Sequence, residues 1–131
     1  MNFASAYLAL GGITTIGFGL AYAVRSSRMA RMVDLELPSA AARADYRSIY
    51  AGSQVAIGIF FVIAARSSAW LAPGLAAVAF FACGFGVARL SSLALDRAKW
   101  QFQYIVGALE IGAGAIAAWL FFSLSGRLVG L

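Results

Sequence analysis

Four stretches of this sequence are long, apolar and almost free of charge, and they constrain its fold more than any other feature. A helical apolar run of about 18 residues covers a hydrocarbon core roughly 30 Å thick. Residues 2–24 carry no charge, residues 71–95 only Arg89, and residues 104–124 only Glu110. A shorter run over 49–65 reaches across when Arg47 snorkels at its start. Hydrocarbon offers the backbone no hydrogen-bond partner, so such segments are helices; the alternating ten-residue strands of a barrel are missing. Exchanging the five Tyr for the fourteen Gly in the hydrophobic 63% makes the chain about 70% apolar, against roughly 45–50% in soluble domains. Too few polar residues remain to coat a water-soluble globule. The fold expected is all-α: four transmembrane helices over about 2–24, 40–65, 71–95 and 104–124, forming one antiparallel bundle in a single domain, 1–131.

Basic residues set the orientation. The first connection holds Arg25, Arg28, Arg31, Arg43 and Arg47, and the third holds Arg97 and Lys99; the opposite side has Arg66 and Arg127. By the positive-inside bias the first and third connections face the cytoplasm and both termini lie outside. Tyr46, Trp100 and Tyr104 fall at the inner interface, and Trp70, Trp119, Phe121 and Phe122 near the outer one. Ala21-Tyr22-Ala23 has the small-x-small look of a cleavage site, but no basic residue precedes the apolar run and that run is long for a signal peptide. The first helix is therefore expected to be retained. The location expected is a bacterial inner membrane, crossed several times.

Residues 66–70 and 96–103 are tight turns, which make the second, third and fourth helices antiparallel neighbours. In the long first connection Pro38-Ser39 reads as a helix start with Ser39 as the cap. The segment Met29–Leu35 before it reads equally as a stretch lying along the inner leaflet or as a solvated loop. Gly-rich patches recur in all four helices without a fixed period.

Ionisable groups at membrane depth are costly and mark paired or functional positions. Arg89 lies six residues inside Leu95, and Glu110 six residues inside Tyr104. Across a tight turn both fall about 9 Å below the inner surface at 1.5 Å per residue, so they are expected to pair. Arg43, Arg47, Tyr50 and Gln54 follow at spacings of four, three and four, one stripe of a helix. Gln54, six residues in from Ser48, reaches the same depth. On the fourth helix Gln103, Gly107, Glu110 and Gly114 share a face. The expectation is an inner-leaflet cluster of Arg47, Tyr50, Gln54, Arg89 and Glu110, with Gly52, Gly58, Gly86, Gly107, Gly112 and Gly114 admitting close helix neighbours. Such a cluster either locks helices in register, or forms a polar floor for an anionic amphipathic ligand, or carries a proton on Glu110. Pairing with Arg removes the reason for Glu110 to neutralise and weakens the third option.

Other patterns carry no chemistry. Gly112-Ala113-Gly114-Ala115-Ile116-Ala117 fits G-x-G-x-x-A, yet it lies within an apolar span with no strand before it and reads as helix-contact glycine; Gly84-Phe85-Gly86 reads alike. Cys83 is mid-span, where a thiol is inert without electropositive neighbours. Absent His, a lone Cys and unpaired carboxylates give no expectation of a catalytic residue, metal or cofactor. Positive-inside topology accounts for the basic charge without nucleic acid.

The stretch Arg43-Ala44-Asp45-Tyr46-Arg47-Ser48-Ile49-Tyr50-Ala51-Gly52-Ser53-Gln54-Val55-Ala56-Ile57-Gly58, with Arg89-Leu90-Ser91-Ser92-Leu93, Asp96 and Glu110-Ile111-Gly112, resembles a bacterial four-helix membrane family known only as a domain of unknown function. The resemblance covers about residues 35–120; Ala51 stands where that family usually has Gly, and Asp45 in the place of a Glu. It implies the fold and topology and no activity. The function expected first is non-enzymatic binding of a membrane lipid or amphipathic ligand, or of a larger membrane-protein complex or second copy, through the polar cluster. Alternatives are a small oligomeric proton- or ion-coupled transporter, or an accessory subunit whose cluster only fixes helix register.

Overall fold

In a computed structural model, which describes residues 2–98 and 100–129, the protein is all-α, and no strand occurs among the described residues. Four helices are long and apolar enough to cross a membrane, over Phe3–Val24, Ala40–Ala64, Ser68–Leu95 and Gln101–Gly126. Large apolar side chains such as Phe18, Phe80, Phe85, Leu109 and Trp119 stay exposed along them, as suits helices whose solvent is lipid rather than water. Hydroxyls within the spans return to their own helix: Thr15 Oγ1 donates to the Gly11 carbonyl and Ser123 Oγ to that of Trp119, each at 2.8 Å.

The chain divides after Ser67 into two compact units, each an antiparallel pair of membrane helices. In the first, helix α1 (Phe3–Val24) opens on the Asn2 cap, whose Oδ1 accepts from Ser5 N at 2.8 Å. A short helix α2 (Ser26–Arg31) follows, with Ser26 and Ala30 buried. It ends in a left-handed residue, Asp34 at φ 56°, with Leu35 N–H donating to Ala30 O and Asp34 N–H to Arg31 O. That is the Schellman arrangement, so Met29–Leu35 is a helix end and a capped turn. Helix α3 (Ala40–Tyr46) starts where the sequence places it, with Ser39 Oγ accepting from Ala42 N at 3.0 Å. The span then widens into one π-helical turn, Arg47–Gly52, before continuing as α4 (Ser53–Ala64). The second unit has only a tight turn between its helices α5 (Ser68–Leu95) and α6 (Gln101–Val129).

Helix ends differ from the sequence reading by a few residues. Helix α5 begins at Ser68 rather than Leu71, so Pro73 lies one turn further inside than expected; α6 runs on to Val129, beyond the Leu124 limit of the apolar stretch. Lys99, counted among the basic residues of the third connection, lies outside the described residues.

Small residues join each hairpin. A Cβ on Gly58 would stand 2.7 Å from the Gly12 carbonyl oxygen and 2.9 Å from Ile16 N; one on Gly19 would meet Val55 N at 2.9 Å and Ala51 O at 3.1 Å. In the second hairpin Gly114 faces Cys83 N at 2.9 Å and Ala79 O at 3.1 Å, and Gly86 faces Gly107 O at 2.8 Å and Ile111 N at 3.0 Å. Backbone lies directly on backbone in both, the close approach that small residues permit in lipid.

These contacts are the same contacts. Gly19 and Gly86 each face the pair Ala51/Val55 or Gly107/Ile111, and Gly58 and Gly114 each face Gly12/Ile16 or Ala79/Cys83. Aligned on them, Gly17-Phe18-Gly19-Leu20-Ala21 falls on Gly84-Phe85-Gly86-Val87-Ala88, and the fully buried Leu8 on the fully buried Leu75. Ile49, Gln54, Val55 and Gly58 fall on Ile105, Glu110, Ile111 and Gly114. The two hairpins therefore repeat one plan. The longer first connection gives the two helices of the plan different offsets, so no single period fits, as the sequence reads.

A left-handed Arg closes α5. Arg97 has φ 52° and Ala98 N–H donates to Leu93 O at 3.0 Å, which is again a Schellman end with a side chain where Gly is usual. Left-handed backbone costs an L-residue about 1–2 kcal/mol. Arg97→Gly should therefore stabilise the protein by about 1 kcal/mol, read as a higher melting temperature in detergent; an unchanged or lower value would show that the arginine side chain offsets its own strain.

Candidate functional site

The second hairpin holds the ion pair that depth arithmetic expects. Arg89 Nε donates to Glu110 Oε2 at 2.9 Å and Nη2 to Oε1 at 2.8 Å. This is the parallel fork that gives Arg–carboxylate pairs their strength and direction. Arg89 Nη1 donates to Gln103 Oε1 at 2.6 Å, so all three guanidinium nitrogens are engaged. Gln103 is 6% exposed, and the Arg89 and Glu110 side chains are 31% and 25% exposed. Gly107 makes room: a Cβ there would meet Leu90 Cδ2 at 2.8 Å and Arg89 Cδ at 3.4 Å. The missing side chain lets the Arg89 stem cross α6 between its two acceptors. Nearly two turns deeper Cys83 packs at the seam, its Sγ 4.0 Å from Ile111 O.

Arg47, Tyr50 and Gln54 belong to the first hairpin. Arg47 Nε donates to the Ala23 carbonyl at 3.1 Å, placing a cation at the C-terminal end of α1, where unsatisfied carbonyls favour one. Arg43 Nη1 reaches Leu37 O at 3.5 Å. Tyr50 stacks on Tyr46 with ring centroids 4.5 Å apart and planes at 29°, and Tyr22 lies 5.9 Å from each ring. The π turn, whose backbone rings close over five residues instead of four, starts directly after Tyr46 and includes Tyr50. Ser53 Oγ donates to the Ile49 carbonyl inside the turn. Gln54 is half-buried on the first turn of α4. Tyr46 is 3% exposed, and its buried hydroxyl has no hydrogen-bond partner.

Three side chains were not in the expected cluster. The sequence puts Gln103 on the Glu110 face of α6 without pointing to its bond with Arg89. Tyr22 and Tyr46 gave one available signal, an aromatic pair at i and i+4 beside a Tyr at the end of the first span. Of the six glycines expected at helix contacts, Gly58, Gly86, Gly107 and Gly114 make them. Gly52 and Gly112 do not: nothing approaches a Cβ on Gly112, and only Arg47 O, at 3.9 Å, one on Gly52. Gly112 is two residues, about 200°, from the Gly114 face. Gly12 and Gly19, outside the six expected, also take contact positions.

In the shared plan Tyr22 occupies the place of Arg89, Arg47 that of Gln103, and Gln54 that of Glu110. The second hairpin thus has a closed, charge-neutral polar cluster, whereas the first has aromatic rings, an amide and a cation in its place. Arg89–Glu110 is the one ion pair among the described residues, and no group of three His, Cys, Asp or Glu stands together among them.

No curated protein and no solved structure matches the chain. The profile of one family, described as "Domain of unknown function (DUF4345)", matches residues 3–121, from the start of α1 through most of α6 and thus both hairpins. The chain belongs to that family.

Proposed function

We propose that the protein is a non-enzymatic, multi-pass protein of a bacterial inner membrane that binds an anionic lipid or similar amphipathic ligand where its basic side chains meet the headgroups. In this reading the first and third connections face the cytoplasm. The observation that carries it is the distribution of charge: Arg89 is neutralised by Glu110, while Arg25, Arg28, Arg31, Arg43 and Arg47 of the first connection have no ion pair among the described residues. Each such residue near an anionic leaflet contributes about 1 kcal/mol. The alternative of proton- or ion-coupled transport fits less well, because both Glu110 oxygens already accept from Arg89. A role in fixing helix register suits the Arg89–Glu110–Gln103 cluster, whose cation is satisfied within its own hairpin.

Native mass spectrometry from mild detergent tests this. After equal supply of phosphatidylglycerol and phosphatidylcholine, the protein should retain the anionic lipid about tenfold more, the equivalent of about 1.4 kcal/mol. Equal retention of the two lipids would overturn the reading.

A further inference from the structure

We infer that the first hairpin holds a seat for the phosphate of an anionic headgroup, formed by Arg43, Arg47 and the Tyr46 hydroxyl; this rests on the lipid-binding reading above and gives it a place and a chemistry. The repeat carries the argument. Where the second hairpin answers its half-buried cation with its own carboxylate, the first has Tyr22 in place of Arg89 and Gln54 in place of Glu110. A cation returns at Arg47, in the place of Gln103, without an anion to face it. The first copy of the plan is thus short of one negative group that its sister supplies internally.

Arg43, Tyr46, Arg47 and Tyr50 stand at i, i+3, i+4 and i+7, on one face of the helix. Arg47 spends Nε on the Ala23 carbonyl, which orients the guanidinium and leaves both Nη groups to donate. Arg43 holds Leu37 O only at the limit of a hydrogen bond, 3.5 Å. Two guanidinium forks one turn apart match the several acceptor oxygens of a phosphate better than ammonium groups would.

The second, independent observation is Tyr46, which stands between them in the sequence. The Tyr46 hydroxyl is buried and unpartnered, and a buried polar group in that condition calls for an explanation, such as a partner absent from the bare chain. A phosphate oxygen is an acceptor of the right kind. Reaching the hydroxyl requires a local opening, and the π turn beginning at Arg47 is where the helix ladder departs from its regular pattern. The clustered Tyr22, Tyr46 and Tyr50 rings give the glycerol and upper acyl carbons an apolar wall. The shared chemistry is a phosphate oxygen, and the source assigned is a phospholipid.

Lipid retention and melting temperature of the full chain, measured on the same variants, test the seat. Tyr46→Phe removes a group with no partner, so the lipid-free protein should melt higher while phosphatidylglycerol retention falls severalfold. Arg43→Gln with Arg47→Gln should lower retention at least tenfold, and Arg47→Lys, which keeps the charge but loses the fork, should fall between. The double change Arg89→Met with Glu110→Leu should leave the preference intact. If the unmodified protein prefers phosphatidylglycerol and the Arg43, Arg47 and Tyr46 variants retain it equally, the seat is refuted and the broader reading stands. If the unmodified protein shows no preference, both fall. Inorganic phosphate at tens of millimolar should not displace the lipid; displacement would overturn the phospholipid assignment in favour of free phosphate.

Discussion

Gly58→Leu should abolish the folded first hairpin, whereas Gly84→Ala should leave the protein folded and slightly more stable. At Gly58 a Cβ would lie 2.7 Å from Gly12 O and 2.9 Å from Ile16 N. Both are backbone atoms, which cannot swing aside as a side-chain tip does, so α1 and α4 must separate along their seam. Overpacking a close-packed contact costs about 1–3 kcal/mol and more when backbone has to move; for Leu, with three further carbons, the expected loss exceeds about 3 kcal/mol. At Gly84 nothing lies within 4 Å of the same atom, and replacing a mid-helix Gly by Ala favours the helix by about 1 kcal/mol. The repeat supplies its own controls. Gly17 and Gly19 stand two residues apart in the first hairpin as Gly84 and Gly86 do in the second, with the outer member open and the inner one against backbone. Gly17→Ala and Gly84→Ala should raise the melting temperature, and Gly19→Ala and Gly86→Ala should lower it. Equal effects within either pair would mean that composition rather than contact accounts for these glycines.

The contrast between those neighbours also shows where sequence reading stops. Apolar length alone is enough for four spans, and six residues of depth on either side of a tight turn are enough to pair Arg89 with Glu110, because both follow from helix rise. Ser39 was legible as a cap for a similar reason: capping depends on one local side chain. Contact faces are less forgiving. Moving two positions along a helix turns a residue by about 200°, so Gly112 reads as a contact residue as readily as Gly114, and only a partner's position separates them. The π turn has no residue signature, since Arg47–Gly52 is an ordinary helix-forming stretch by composition. It becomes visible only in the backbone ladder itself. The pairing of α1 with α4 was hidden by the long connection between them, and that same connection concealed the repeat. Once contacts supply the register, the match of Gly-Phe-Gly-Leu-Ala to Gly-Phe-Gly-Val-Ala is plain.

Removing Glu110 should damage the second hairpin more than removing Arg89, and removing both should damage it less than either. Glu110→Leu leaves a guanidinium at membrane depth without its carboxylate, with Gln103 still a neutral acceptor. Arg does not surrender its proton in proteins, so the charge stays, and for this half-buried pair the cost approaches the roughly 3 kcal/mol at which a fully buried pair loses one partner. Arg89→Met strands a carboxylate instead, but a carboxyl group can take up a proton and become neutral, which limits the penalty to the lost hydrogen bonds and the protonation. The double change removes both charges and substitutes apolar surface of similar length, which buried pairs often tolerate. Its residual cost comes from Gln103, 6% exposed, whose Oε1 loses its donor; an unsatisfied buried acceptor costs about 1–3 kcal/mol. The cycle should therefore show a coupling of at least about 2 kcal/mol between the two positions, measured by reversible unfolding in detergent. Equal losses from each single change and from the pair would mean that the fork does not stabilise the hairpin and that its geometry serves something other than register. A double variant that is stable and still prefers phosphatidylglycerol would separate the two hairpins by role, the second held together by its internal charge pair and the first left with a cation for the membrane to answer.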